Sequence, residues 1–350
     1  MSEAEPGLPV ELRTDLAASL GQFTILSPVE YSFAGEAPID VRLAPAGAPW
    51  IAPVQTAADD ALTRAVQAAL YERCYARRLG ADRAAAAIAG EGPAFVDRLS
   101  QANAGSERWD NGWTIHQLGS NGWIFVRKGE RERAAMPGEF ISAVAPGMAP
   151  QIGGTVSLRV PREARGVQPG FYFAFGETLD EAAEQLSLMR FYFHCTGEAA
   201  VQLVAALTRS LNRFQVPFQL KVLAAPALYG RTDAAVLYVG RRYFTITARI
   251  VEGVVRTVPL DPPAPLFAKT QWPGVGVADD PGSGESFGTH RCRIAAQGIV
   301  DAWRLGSQDV SARLAAAAAR FAEAGLDLAR PYLGPGAADL FDLPEPARLP

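Results

Sequence analysis

The chain has 350 residues, a formal net charge of −4 and 49% hydrophobic residues. That length exceeds one usual core and predicts two domains, and the acidic balance excludes a global attraction to nucleic acid or an acidic membrane surface. No stretch approaches the ~20 apolar residues of a membrane span, and Cys74, Cys195 and Cys292 have neither metal spacing nor a disulfide pattern.

Reduced thiols and an N-terminus without an apolar h-region predict a cytoplasmic protein. Met1 to Pro53 is rich in Pro and Ala, with short strands expected at Phe23–Leu26 and Ile39–Leu43. Leu62, Val66, Leu70 and Cys74 then recur every four residues, which predicts a helix from Ala57 to Gly80, Gly80 being its C-cap. Ala81 to Gln101 continues helically, with breaks near Gly90 and Pro93. From Asn111 the period becomes two, and Asn121-Gly122 marks a hairpin turn. Trp113, Trp123, Phe125 and Phe140 are expected to fill a small β core. His116 on this segment lacks acid or thiol partners at metal spacing and reads as structural or surface.

Thr155–Val160 and Phe171–Phe175 read as strands around a loop, and Leu179–Met189 as a helix with acids at its start. The chain is organised around Met189–Tyr243. Arg190–Cys195 is a short aromatic strand. Gly197 opens a helix striped by Ala200, Val204, Leu207 and Leu211, and Pro217 follows it. Strands at Pro217–Leu223 and Ala234–Val239 complete the unit. Alternation puts Phe191, Phe193 and Cys195 on one face and Arg190, Tyr192 and His194 on the other. In one sheet, the second face gathers Arg190, Tyr192, His194, Lys221 and Tyr238, a cation-rich surface suited to an anionic substrate.

Lys221 stands out by composition. Of 33 Lys and Arg residues, Lys128, Lys221 and Lys269 alone are lysine. Arginine stays protonated, whereas a crowded or buried lysine loses its proton; chance placement on a solvated strand face is the competing reading. Arg231 and Asp233 are either a phosphate clamp with its orienting acid or a local turn pair.

Further strands are expected at Arg242–Thr247 and Val251–Val258, and a Pro-rich linker at Asp261–Phe267. The Gly-rich run before the helix His290–Leu305 is either a mobile surface loop or a phosphate cradle at a helix N-terminus. Arg291 lies at that helix start; Arg293 is turned about 200° from it. Ser311–Ala324 is an Ala-rich helix, and the tail after Pro331 is expected to be irregular, either docked or frayed.

The pattern RFYFH, PFQLKVL and Y-x-R-x-D-A-A-V-L-Y, with the downstream KTQWPGVGVADDPGSGESFGTHRCR, resembles the HopA-type effector family from about Phe171 to Trp303. That family includes members in peptide natural-product clusters of lanthipeptide and thioamitide type. The resemblance implies a lyase that removes phosphate from phosphoserine or phosphothreonine in a precursor peptide, leaving a dehydroamino acid. A more distant similarity, to effector phosphothreonine lyases, implies His194 as general acid, Lys221 as general base and Tyr238 beside them. It also implies Arg190, Tyr192, Arg231, Lys269, Arg291 and Arg293 around the phosphate. One departure is Tyr192, which stands where those lyases carry a lysine.

β-Elimination needs a base for the α-proton, a cation for the developing enolate and a hold on the departing phosphate. It requires no metal and no organic cofactor. The expected fold is α+β: a mixed, mainly antiparallel sheet with flanking helices, after a smaller helical and β-hairpin region. The expected divisions are 1–150 for peptide or partner docking, 151–330 for the lyase-like part and 331–350 for a tail. Expected partners are the phosphorylated precursor peptide and a separate kinase that installs the phosphate, with no nucleic acid and no membrane. The competing class is a non-catalytic phosphopeptide- or leader-binding module.

Overall fold

The computed structural model describes residues 7–43, 61–77, 79, 92–142, 149–179 and 187–343. Its centre is a seven-stranded antiparallel sheet of β9 (Glu163–Arg165), β10 (Phe171–Phe175), β11 (Leu188–Phe193), β12 (Gln219–Leu223), β13 (Ala235–Gly240), β14 (Lys269–Trp272) and β15 (Val275–Asp279). The spatial order is β14-β15-β11-β13-β12-β10-β9. Alternation sorts its faces as the sequence reading has it. Phe191, Phe193, Leu220, Val222, Leu237 and Val277 enter one core, closed by α4 (Gly197–Arg213) and α5 (Phe244–Val255). Thr196 caps α4, its hydroxyl accepting from Ala199 N–H.

The opposite face carries a second core. Tyr192, Val236 and Ala278 pack there with α1 (Val10–Leu20), α2 (Ala61–Leu70), α6 (Phe287–Arg304) and α7 (Val310–Glu323). Those three residues lie on β11, β13 and β15; among the described residues none of β12 or β10 joins this core. The helices therefore cover half of that sheet face and leave the β12–β10 half open.

Two close approaches hold the helical layer. A Cβ on Gly288 of α6 would sit 2.2 Å from the Tyr75 ring, and one on Gly298 would sit 2.5 Å from Ala317 of α7. Tyr75 belongs to a single π-helical turn, Tyr71–Tyr75, that follows α2. Its extra residue stacks Tyr71 on Tyr75 at 5.3 Å between ring centroids.

The N-terminal region adds a three-stranded meander of β1 (Phe23–Ser27), β2 (Glu30–Phe33) and β3 (Ile39–Asp40). A five-stranded antiparallel sheet holds β4 (Arg108–Leu118), β5 (Ile124–Lys128), β6 (Arg131–Ala135), β7 (Phe140–Ser142) and β8 (Thr155–Val160). The hairpin through Ser120–Gly122 forms as the turn residues predict. Trp113 fills the core of this sheet with Ile115, Ile124, Val126 and Val156. Trp123 does not; it is exposed, and Phe125 and Phe140 are half-buried. Contacts cross residue 150 in both layers: β8 pairs with β4 and β7, α1 packs on α7, and α2 packs on α6.

Other expectations are corrected. Val10–Leu20 is helical, and the PREARGVQPG loop holds β9. Residues 244–255 form α5 rather than two strands, because Phe244, Thr247, Ala248, Val251 and Val254 fall on one helical stripe. The helix read at Leu179–Met189 falls mainly outside the described residues, and Leu188 and Met189 belong to β11. Gly80 and Gly90 also lie outside them. The segment after Pro331 docks firmly: Phe341 is fully buried, 5.2 Å from the Phe244 ring centroid.

Candidate functional site

Register fixes the site. Lys221 pairs with Val236, and Val236 with Tyr192; one row along, Gln219 pairs with Tyr238, and Tyr238 with Arg190. Directly paired residues share a face, so Lys221, Tyr238 and Arg190 stand together where the helical cover stops, while Tyr192 on the same face lies under that cover. A cavity of about 800 Å³ opens there, lined by Lys221, Tyr238, Asp280, Gln219, Gln168 and Phe173, and also by Leu188 and Val167.

Lys221 is half-buried, with Nζ 3.7 Å from the centroid of the Phe171 ring. Among the described residues no hydrogen bond or ion pair engages that ammonium. Burial pushes its pKa down to about 8; Arg190 and Arg231 push the same way and Asp233 opposes them. Roughly a tenth is then neutral amine at pH 7 and half at about pH 8, far more than for an ordinary lysine, and neutral amine is the state a general base needs. The Tyr238 hydroxyl is pushed the other way by burial, against the pull of Arg190. It keeps its proton and is available as a donor.

Arg190 is buried and donates from Nε to Asp280 Oδ2 at 2.8 Å, with Nη2 on the same oxygen. Its guanidinium lies 5.1 Å from the Tyr238 ring centroid. Arg231 is held by Asp233, which accepts from Nε at 2.8 Å and from Nη2 at 3.0 Å, and by the Tyr71 hydroxyl at 3.0 Å. Asp233 thus orients an arginine, and the π-helical turn supplies the third partner.

The other named residues stand elsewhere. His194 follows the end of β11 and does not line the cavity. Its Nδ1 is 3.1 Å from the Pro263 carbonyl, which only accepts, so Nδ1 carries the proton. Tyr192 is buried against Phe287, 5.9 Å between centroids, behind the cavity wall. Lys269 pairs in register with Val277 on the opposite face, where its ammonium meets Asp342 at 2.8 Å and Asp339 at 3.3 Å. Arg291 gives Nε to Pro331 O at 2.6 Å and Nη2 to Leu333 O at 2.8 Å. Arg293 gives Nη2 to Glu285 at 2.9 Å. These last three are struts for the C-terminal segment and the loop before α6, because their donors end on protein acceptors rather than in the cavity.

Sequence reasoning did not single out Asp280, Gln219, Gln168 or Phe171 for the site. The signals were faint: alternation already put Phe171 and Phe173 on one face, and Asp280 is the second acid of an Asp-Asp pair before the glycines. Among the described residues no cluster of His, Cys, Asp and Glu has the form of a metal site. No helix there is long and apolar enough to cross a membrane. A second cavity, about 340 Å³, lies between α1, the π-helical turn and residues 262–266; Lys221 and Tyr238 do not line it, and Arg190, held behind Asp280, lines neither of the two.

No curated protein matches the chain. Among solved structures, an effector protein from Pseudomonas syringae pv. tomato strain DC3000 is similar at 16% identity, with a TM-score of 0.43 over 78% of this chain and 94% of that one. An effector from Pseudomonas syringae pv. syringae strain 61 is similar at 18% identity, with a TM-score of 0.40 over 78% and 91%. The model of the HopA1 effector protein family matches residues 163–333, the stretch that carries the seven-stranded sheet and the cavity. That match bears out, over residues 163–333, the resemblance to the HopA-type effector family that the sequence carries.

Proposed function

We propose that the chain is a phosphoserine/phosphothreonine lyase that eliminates phosphate from a phosphorylated precursor peptide of a ribosomal natural-product pathway. The observation that carries this reading is Lys221: an unpaired amine with a pKa of about 8, opening into a peptide-sized cavity beside a buried arginine. Neutral Lys221 takes the α-proton of the phosphorylated residue. The electron pair of that C–H bond becomes the Cα=Cβ double bond, and the Cβ–O bond breaks with its electrons leaving on phosphate. Arg190 holds the departing phosphate by charge-assisted hydrogen bonds. Tyr238, protonated and on the same face, delivers a proton to the leaving oxygen. This gives Tyr238 the role that the family resemblance implies for His194.

The positive potential of Arg231, fixed by Asp233 and Tyr71, favours the enolate as it develops. The product is dehydroalanine from phosphoserine and dehydrobutyrine from phosphothreonine. A separate kinase supplies the phosphate in this reading. The test is mass spectrometry of a synthetic phosphopeptide incubated with the protein. Loss of H3PO4 supports elimination; appearance of the free hydroxyl means hydrolysis, and an unchanged peptide that still binds means a recognition module. Either of those outcomes ends the lyase reading.

A further inference from the structure

Arg190 is already occupied. Its Nε and Nη2 both donate to one oxygen, Asp280 Oδ2, so a single carboxylate oxygen sits in the fork that a phosphate oxygen would take. The other oxygen, Oδ1, accepts from the Gly282 N–H at 2.9 Å. The backbone beneath is anchored, since the Asp280 N–H donates to Leu188 O at 2.9 Å. Asp280 also lines the cavity with Lys221 and Tyr238. We propose, resting on the lyase reading, that Asp280 is a resident stand-in for substrate phosphate: it occupies Arg190 in the free protein and yields it when the phosphorylated side chain arrives.

Two contrasts support this. The Arg231–Asp233 pair uses both carboxylate oxygens and adds Tyr71, a closed arrangement. Asp279, the preceding residue, divides its oxygens in the same way, Oδ1 accepting from Arg241 at 2.7 Å and Oδ2 from the Gly334 N–H at 2.9 Å, but it is buried and does not line the cavity. Asp280 alone of these acids faces the cavity. Beyond it, Gly282 and Gly284 adopt φ of +69° and +79° with open space where a Cβ would stand. Asp280 itself is part-buried and lines the cavity, so its carboxylate can rotate into that space about its own side-chain bonds while the strand end stays in place. A phosphate dianion offers Arg190 more charge and more acceptor oxygens than the carboxylate it displaces. The exchange keeps the guanidinium paired in the free protein and sets a threshold that favours phosphate over weaker anions.

The test is binding, not turnover. Inorganic phosphate is titrated calorimetrically into the wild-type protein and into Asp280→Asn, which keeps an oxygen acceptor for Arg190 but removes the competing charge. Phosphate is expected to bind the variant at least threefold tighter, with the gain persisting in high salt, where a mere change of field is screened. Equal or weaker binding overturns the proposal and makes Asp280 a support for Arg190. In the wild-type protein, saturating phosphate should speed hydrogen exchange at the Gly282 amide as Oδ1 leaves it; slower or unchanged exchange also overturns the idea, even if the variant fails to fold. The lyase reading fails separately, if phosphopeptide is not eliminated while phosphate binding still tightens in Asp280→Asn.

Discussion

At Lys221 the same burial governs both activity and stability. Its pKa falls from 10.5 to about 8 in the folded chain. Between those values the unfolded chain holds the extra proton, so stability contributed at this site is lowest below about pH 8 and rises towards pH 10.5. Elimination should therefore increase with pH through a midpoint near 8, read from initial rates against a phosphopeptide. Lys221→Met should lower the rate ~10²–10⁴-fold, remove that rising limb, and leave the melting temperature at pH 7 no lower than wild type. A Met variant that turns over normally, or one that melts early, removes Lys221 from the role. Tyr238→Phe should lower kcat with little change in KM, since the ring remains and only the proton donor goes. Arg231→Ala belongs to a different class. It leaves the largely covered Asp233 carboxylate without its partner and should cost about 3–5 kcal/mol, measured by urea unfolding, so lost activity in that variant will track lost fold.

At the scale of elements, the site depends on where the helical layer stops. α6 reaches the sheet because Gly288 lets its first turn pass against Tyr75. Gly288→Ala should therefore push the π-helical turn away and destabilise by about 1–3 kcal/mol, with Arg231 losing its Tyr71 contact; thermal unfolding and phosphate titration would both register it. The strands around Lys221 were legible in sequence, because period-two alternation is a local property and aromatic residues mark it densely in RFYFH and FYFAF. α5 was not. Its FTITARIVEGVV is rich in β-branched residues, which favour strands locally, while its buried stripe against the sheet decides for helix. The places of Asp280 and Arg291 were equally out of reach. Their partners, Arg190 and the 331–333 carbonyls, are brought near by sheet register and by a docked tail, neither of which spacing along the chain reports.

For the whole molecule, the first half of the chain is part of the structure that frames the cavity. α1 packs on α7 and α2 on α6, and β8 completes the sheet begun by β4. Removing the first 150 residues should expose the second core and yield an aggregated or molten product by size-exclusion chromatography and near-UV dichroism. A folded, active remnant would return that region to the role of a separable docking module. The C-terminal segment is bound as closely: Phe341→Ala should cost about 3–5 kcal/mol in urea unfolding, because its ring fills the core beside Phe244.

The scarcity of lysine has a practical corollary. Lys128 is tied to Asp110 at 3.0 Å, and Lys269 to Asp342 and Asp339. Of the three ε-amines, Lys221 is the one without an acid partner among the described residues, and burial pushes its pKa down to about 8. An amine-directed electrophile at mildly alkaline pH should thus label this chain at one dominant side chain, and a bound phosphopeptide should shield it. The lysine content of the molecule makes its cavity addressable by a single covalent tag, without any engineered handle.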